Sequence, residues 1–401
     1  MVYLGRLNTR QAEIQGTAAI ALVATLLGVS FGLSTLVTPL YVIYQQQFGF
    51  SQIALTLIYA SYALGNIASL LLFGRVSDCI GRRLTALPAL AVLIVATLFF
   101  LFAKGVSALY IARILSGLGI GVVSGTANAW LADLVGKRHK TLAATIGTST
   151  NFLGLGLAAL MTGLLAEYAP LPLQLPFIVY LVILCAMAAL ILFTKETVRP
   201  SDASLLVIRP KLSLPSEVRA RFVAPGITGF GLMALVGFYA ALMPTILSHD
   251  LDIKSHAVAG ALFFELATVV TVVIVATQTL ASRPAMLLSL ALMIPATAAV
   301  VIAQVSASLW FMLVATAAVA ASAGLGYRGS LQVVNQIAPE NKRAAVVSTY
   351  FVCCFTGNAL PVVGVGALSS LTNTTVADLA FACMIAAFAV VAVIFGLVYQ
   401  S

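Results

Sequence analysis

Charge is what this chain has least of. Only 8% of its 401 residues are Asp, Glu, Lys or Arg, against about 25% in an ordinary soluble domain. A globule of 41.8 kDa needs a charged coat to stay dissolved, so the composition excludes a soluble enzyme. It excludes a disordered chain as well, because 61% of the residues are hydrophobic. Cysteine is scarce: Cys79, Cys185, Cys353, Cys354 and Cys383 follow neither a disulfide framework nor a metal-ligand spacing. Four of them fall inside apolar runs and read as small packing residues. His139, His249 and His256 form no convergent metal set. No nucleophile motif, paired-carboxylate site or phosphate-binding Gly-Lys loop occurs, so neither a cofactor, a metal nor ATP-driven chemistry is expected.

Long apolar runs take the place of charge. A membrane-spanning helix needs about 20 apolar residues, and runs such as 84–103 and 376–399 supply them. They do not alternate with period two, which argues against an outer-membrane barrel. Twelve spans are read, at 16–41, 52–74, 84–103, 107–131, 141–166, 171–194, 222–247, 256–280, 284–304, 307–331, 344–370 and 376–399. The first is too long for the apolar core of a signal peptide. The expected fold class is therefore an all-α integral membrane protein, with no residues left for a soluble head domain.

Most connectors are a few residues long, so successive spans run antiparallel. The exception, 195–221, holds Pro200, Pro210, Pro215 and six basic residues. It divides the chain into an N-terminal six-helix bundle over 1–194, a cytoplasmic linker over 195–221 and a C-terminal six-helix bundle over 222–401. With the N-terminus in the cytoplasm, the inner segments hold 17 of the 21 Lys and Arg, and the outer segments hold only Lys104 and Lys254. That is the positive-inside pattern, and one missed span would destroy it. Both termini are expected on the cytoplasmic side of the cytoplasmic (inner) membrane. The net charge of +9 points to anionic lipid headgroups as neighbours, not to nucleic acid.

The two halves resemble each other weakly. Basic pairs, Lys137-Arg138 and Lys342-Arg343, precede the fifth span of each half. About fifteen residues on stands an Asn in a Gly-rich stretch: Asn151 with Gly154 and Gly156, and Asn358 with Gly357, Gly364 and Gly366. Small residues permit close helix crossings in lipid. Two pseudo-symmetric halves around a polar linker suit alternating access, in which the halves rock about a midplane site.

Between spans two and three lies Gly74-Arg75-Val76-Ser77-Asp78-Cys79-Ile80-Gly81-Arg82-Arg83. This resembles the signature loop of the major facilitator superfamily, with Gly74, Asp78, Gly81, Arg82 and Arg83 matching. Cys79 stands where that pattern has a basic residue, which removes one charge. Arg113 with Gly117 and Gly119 in span four, and Lys195-Glu196-Thr197 after span six, are similar to further patterns of the family. The resemblance covers the whole chain through span number, division and linker. It implies a secondary transporter, an inner gate formed by the loop with Asp133, and a proton-coupling role for Arg113. Arg82 or Arg83 could pair with Asp133. In the second half the corresponding loop, Gln278 to Pro284, lacks both Asp and Gly, so the latch is expected to be asymmetric. Span five has no Gly-Pro pair, a feature of many antiporters in the family, yet the short loops and few cavity charges resemble its bacterial drug-exporter-like members.

Arg113, Glu265 and Arg328 are read as the charged residues within spans, each a functional candidate by default. Glu265, flanked by Phe263 and Phe264, lies about 15 Å into span eight by helical rise and is the candidate proton carrier. Arg113 could hold a carboxylate or hydroxyl, or snorkel to the headgroups; Arg328 is expected to snorkel or to pack near the inner gate. Tyr59, Tyr62 and Asn66 share one helix face with Ser69. With Asn151, Tyr239 and Asn358 they are candidates to line a mostly apolar cavity for a lipophilic or weakly charged solute.

The expected function is proton-coupled efflux of a small organic solute by a functional monomer, with small-molecule substrate, protons and membrane lipids as partners. Uptake of a small metabolite is the alternative, and a membrane-embedded receptor or lipid-modifying enzyme the alternative from another class. Cysteines introduced at Gln47 and Ser201 should label from opposite sides of the membrane; labelling of both from one side would sink the topology.

Overall fold

The computed structural model describes residues 16–74, 76–136, 139–198, 212 and 214–399. Most of the expected linker, with Arg199, Ser201, Arg209 and Lys211, lies outside the described residues, as do Arg6, Arg10, Arg75, Lys137 and Arg138. The first span is built from α1 (Thr17–Leu36) and α2 (Tyr41–Phe48), the second from α3 (Gln52–Phe73). A short α4 (Val76–Ile80) fills the loop before α5 (Arg82–Leu101), α6 (Val106–Val135), α7 (Lys140–Tyr168) and α8 (Leu175–Leu192). The seventh span joins α9 (Arg219–Ala241) to α10 (Met243–His249). Then come α11 (His256–Ala276), α12 (Ser282–Val305), α13 (Leu309–Ile337), α14 (Arg343–Leu371) and α15 (Thr374–Val398).

Twelve of these units are long and apolar enough to cross a membrane, matching the twelve expected spans. The chief differences are at the ends, where α6 and α13 carry polar residues such as Asp133 and Gln336 beyond the apolar layer. Helices satisfy their own backbone groups, which lipid cannot. Their outward faces carry Leu64, Val182, Ile302 and Val390, all exposed. Cys185 and Cys383 are also exposed, so these two face outward where internal packing was expected.

The twelve helices form two pseudo-symmetric bundles of six. In the first, α1 packs on α6 and α7, α3 on α6, and α5 on α6 and α8. In the second, α9 packs on α13 and α14, α11 on α13, and α12 on α13 and α15. The first helix of each bundle breaks at the same place. Pro39 opens a 3-10 turn before α2, and Pro244 stands in the first turn of α10; a proline cannot continue the ladder but fits a helix start. An even number of spans puts Thr17 and Val398 on one face with the Gly74–Arg83 loop, here the loop face; the other is the far face.

The bundles meet where α7 packs on α11 and α3 on α14. A Cβ on Gly163 would strike the His256 carbonyl, one on Gly260 the Ala159 carbonyl, and one on Gly366 the Thr56 side chain. Gly163 and Gly366 occupy the same place in α7 and α14, so the repeat extends to the interface. Inside the first bundle Gly65 and Gly117 bring α3 and α6 to backbone contact. Gly117→Val should therefore cost about 1–3 kcal/mol by overpacking, read as a lower melting temperature of the purified protein. Gly163→Val should spare each bundle but part the far face. Labelling of a cysteine at Leu247, with Cys185 and Cys383 replaced by Ser, should then rise. Equal melting and equal labelling in both variants would contradict this division.

Candidate functional site

Between the bundles lies a cavity of about 470 Å³. Its wall runs from Tyr59, Phe263 and Ala240 near mid-depth to Ser77, Ala132, Asn335 and Val347 at the loop-face ends of their helices. Asn128, Ala144 and Asn335 on this wall are exposed, so the cavity opens on the loop face. On the far face Tyr41, Tyr44, Leu242, Met243 and Leu247 are buried, and α2 packs on α10 to close that end.

Tyr59, Tyr62, Asn66, Asn151 and Asn358 all line the cavity. The stripe on α3 was legible from its spacing. Tyr59 donates to Asn358 Oδ1 at 2.9 Å, and Asn358 Nδ2 donates to Met233 O at 3.2 Å, so one hydrogen-bonded line crosses from α3 to α14 and α9. Asn151 and Asn358 are not equivalent, however. With the starts of α7 and α14 aligned, they sit one helical turn apart, and Cys354 stands where the repeat places Asn151. Tyr239 lies outside this lining: its hydroxyl is buried in the second bundle, 3.0 Å from Thr316 Oγ1.

Arg113 is fully buried behind the tyrosines, which removes the snorkelling alternative. Its guanidinium donates to Ser34 O at 2.7 Å and to the Tyr41 hydroxyl. The rings of Tyr41, Tyr59 and Tyr62 surround it, with centroids 5.6, 5.2 and 5.7 Å away. Ser34 O belongs to the last turn of α1, where carbonyls lack helical partners and the helix dipole favours a cation. The aromatic faces add cation–π attraction. Glu265 is half-buried in α11, outside the cavity lining, and its Oε2 is enclosed without a hydrogen-bond partner among the described residues.

At the loop face Arg82 Nη1 donates to Asp78 Oδ1 at 2.5 Å and to Ser77 Oγ at 2.8 Å, and Nε to Asp133 Oδ2 at 3.0 Å. The two arginines are not interchangeable. Arg83 instead donates to Leu192 O at 3.0 Å and Thr194 O at 3.4 Å, closing the end of α8. Gly74 lines the cavity mouth. All these charges belong to the first bundle, and they are paired while the cavity is open beside them, so the pairing does not depend on closure of that face.

Glu196 is the residue that sequence reasoning left without a role. The first amides of α5 have no helical partners, and Gly81 has no side chain to cap them. Glu196 takes that place, accepting from Arg82 N at 2.8 Å and Arg83 N at 2.9 Å. Gly81 has φ 110°, and a Cβ there would meet the Glu196 carboxylate, so both its conformation and its missing side chain are used. The contact spans more than a hundred residues, which no local pattern reveals.

The second bundle repeats this arrangement without the charges. Arg283 matches Arg83 and donates to Gly396 O at 3.1 Å and Leu397 O at 3.3 Å at the end of α15. Ser282 and Gln336 stand where Arg82 and Asp133 stand, bonded at 2.9 Å. Arg328 is buried rather than snorkelling and donates to Leu280 O at 3.0 Å through Nη1. A further acid was missed: Asp378, near the start of the last span, is 5% exposed. Among the described residues no group of three or more His, Cys, Asp and Glu is placed to hold a metal ion.

The sequence pattern of the Major Facilitator Superfamily matches residues 20–361. An uncharacterized MFS-type transporter of Methanocaldococcus jannaschii is 28% identical over 162 residues, which is 40% of this chain and 41% of that protein. The chain therefore spans about two fifths of that relative's length.

Glu196→Ala removes the acceptor of two helix-terminal amides and should cost about 1–2 kcal/mol. Asp78, whose side chain is 58% exposed, should cost less than about 1 kcal/mol as Asp78→Asn, because its pair is solvated. Thermal unfolding of the purified variants checks the order, and an Asp78→Asn loss as large as that of Glu196→Ala would reverse it.

Proposed function

Because the chain belongs to the Major Facilitator Superfamily, whose members are secondary transporters, we propose that it exports a small lipophilic or weakly charged organic solute across the cytoplasmic membrane by proton-coupled alternating access. The observation that carries this reading is the cavity between the bundles, reachable from one face and sealed at the other. The positive-inside bias supports a cytoplasmic loop face with both termini on that side, and in this reading the conformation is the one that loads from inside. A single chain completes the cavity, which suits a functional monomer within its lipid shell.

The cavity wall supports this substrate class. Phe31, Phe152, Phe263 and Phe351 supply apolar and aromatic surface, and Tyr59, Tyr62, Asn66, Asn151 and Asn358 supply neutral hydrogen-bonding groups. No acid lines it among the described residues. Arg113 holds the tyrosines from behind, so a solute that moves Tyr59 also disturbs the line to Asn358 and hence the contact between bundles. In this reading the loop cluster ties α3, α5 and α6 together so that the first bundle rocks as one body. Gly74 and Ser77 meet the second bundle when the mouth closes. Uptake is the second reading, favoured by the absence of proline from residues 151–163.

Proton coupling is assigned to Glu265, with Arg113 shaping the loaded state. Glu265 lies in the second bundle away from the solute, so the coupling acts through helix packing rather than direct contact. In proteoliposomes carrying an imposed pH gradient, with a fluorescent lipophilic amine as probe, Glu265→Gln should cut gradient-driven transport by about tenfold or more. Probe exchange without a gradient should persist. Gradient-driven transport at the parental rate would remove Glu265 from the mechanism.

A further inference from the structure

A second acidic site lies at the far face of the second bundle, apart from the cavity and from Glu265. Asp378 of α15 is 5% exposed, and among the described residues its carboxyl accepts one hydrogen bond, from a neutral group, Gln304 Nε2 at 2.9 Å. It borders two small voids. One, of about 20 Å³, is lined by Gln52, Thr245, His249, Asp250 and Ser369 as well as Asp378. The other, of about 10 Å³, lies between Asp378, Gln304, Thr297 and Tyr239. The larger is about the size of a single water. Thr245, 8% exposed, lines it with a hydroxyl that has no partner among the described residues.

The groups facing Asp378 are few. Tyr239 comes from α9, Gln304 from α12, Ser369 from α14, Gln52 from α3 of the first bundle, and His249 and Asp250 from the end of α10. Among the described residues His249 is the one basic side chain there. Two carboxyl groups share this space, and a carboxylate taken out of water with one neutral donor is costly. Burial also pushes the Asp250 carboxyl above its usual range, with His249 opposing the effect.

We propose that Asp378, with Asp250 and Thr245, forms a proton-binding site at the far face, and that its proton holds this end closed against Gln52 of the first bundle. The proton comes from the far-face solution by way of half-buried Asp250 and is held at Asp378, beside the Thr245 hydroxyl, unpartnered among the described residues. When the far face opens, Gln52 withdraws, water reaches both acids and the proton is free to exchange. Tyr239 borders the inner void, with its hydroxyl 3.0 Å from Thr316 Oγ1. Only this role in turnover rests on the proton-coupled reading; binding of the proton does not.

The test is thermal unfolding of the purified full-length protein from about pH 5 to about pH 8, in potassium chloride and in sodium chloride. A carboxyl that stays protonated in the folded state and ionises on unfolding contributes stability that falls as pH rises through this window. The parent should lose melting temperature with rising pH. Asp378→Asn, which fixes the uncharged form, should lose a measurable share of that slope and exceed the parent at the alkaline end. Asp250→Asn removes the like charge that favours protonated Asp378 and should end the fall at lower pH, which keeps the test open should Asp378→Asn fail to fold. Parental slopes in the variants overturn the proposal. A gain specific to sodium in the parent, absent from Asp378→Asn, also overturns it, by making the site a metal-cation site. Glu265→Gln should remove a separate share of the slope, and the double variant with Asp378→Asn should lose both shares, so loss of coupling at Glu265 and loss of this site are told apart.

Discussion

Lipid offers no hydrogen bonds, and the rest of this structure depends on that constraint. Every backbone group must find its partner within its own helix, so the described chain is almost wholly helical and its helix breaks are confined to Pro39 and Pro244. Lipid also gives no hydrophobic drive between helices, so association rests on close approach. The contacts of Gly65 with Gly117 inside a bundle, and of Gly163 with Gly260 between bundles, are the result. Polar side chains are then turned inward, where they either bond one another or face the cavity.

The two bundles share a frame and differ in where they carry charge. The glycine crossings, the broken first helices and the Arg83 and Arg283 closures repeat. The charges do not: Arg82 and Asp133 become Ser282 and Gln336, and the place of Arg113 in α6 is taken in α13 by Thr316. Each bundle thus keeps the geometry of a rigid unit, while the ionic cluster and the buried guanidinium belong to the first alone. The acids Glu265 and Asp378 belong to the second. Among the described residues the cavity is lined by neutral groups, and the second-bundle acids Glu265 and Asp378 stand apart from it.

The spans and their order were legible because a run of about 20 apolar residues has no other good use, and the skew of 17 basic residues to one side fixed their parity. The stripe of Tyr59, Tyr62 and Asn66 was legible because helical phase puts them on one face. What failed to show in the sequence was long-range or depended on phase. Glu196 caps a helix more than a hundred residues away, and only the fold brings them together. Asp378 was hidden within an apolar run near a span end, where acids usually meet water. Tyr239 was assigned to the cavity by composition alone, whereas the rotation of α9 turns it into its own bundle. Asn151 and Asn358 matched by neighbourhood, but the helix starts offset them by a turn. Snorkelling was a fair alternative for Arg113 until the aromatic cage and the open end of α1 gave its charge somewhere to go.

That cage has an electrical consequence. Arg113 places a guanidinium deep in the low-dielectric layer, and its partners are a carbonyl, a hydroxyl and three aromatic rings, none of which carries a formal charge. A full elementary charge crossing the whole membrane potential exchanges about 2.3 kcal/mol per 100 mV. Any rocking that carries the first bundle through part of that field moves Arg113 with it, so the membrane voltage acts on the protein itself. In the alternating-access reading, the balance between inward-open and outward-open forms would then shift with voltage even when the solute is neutral.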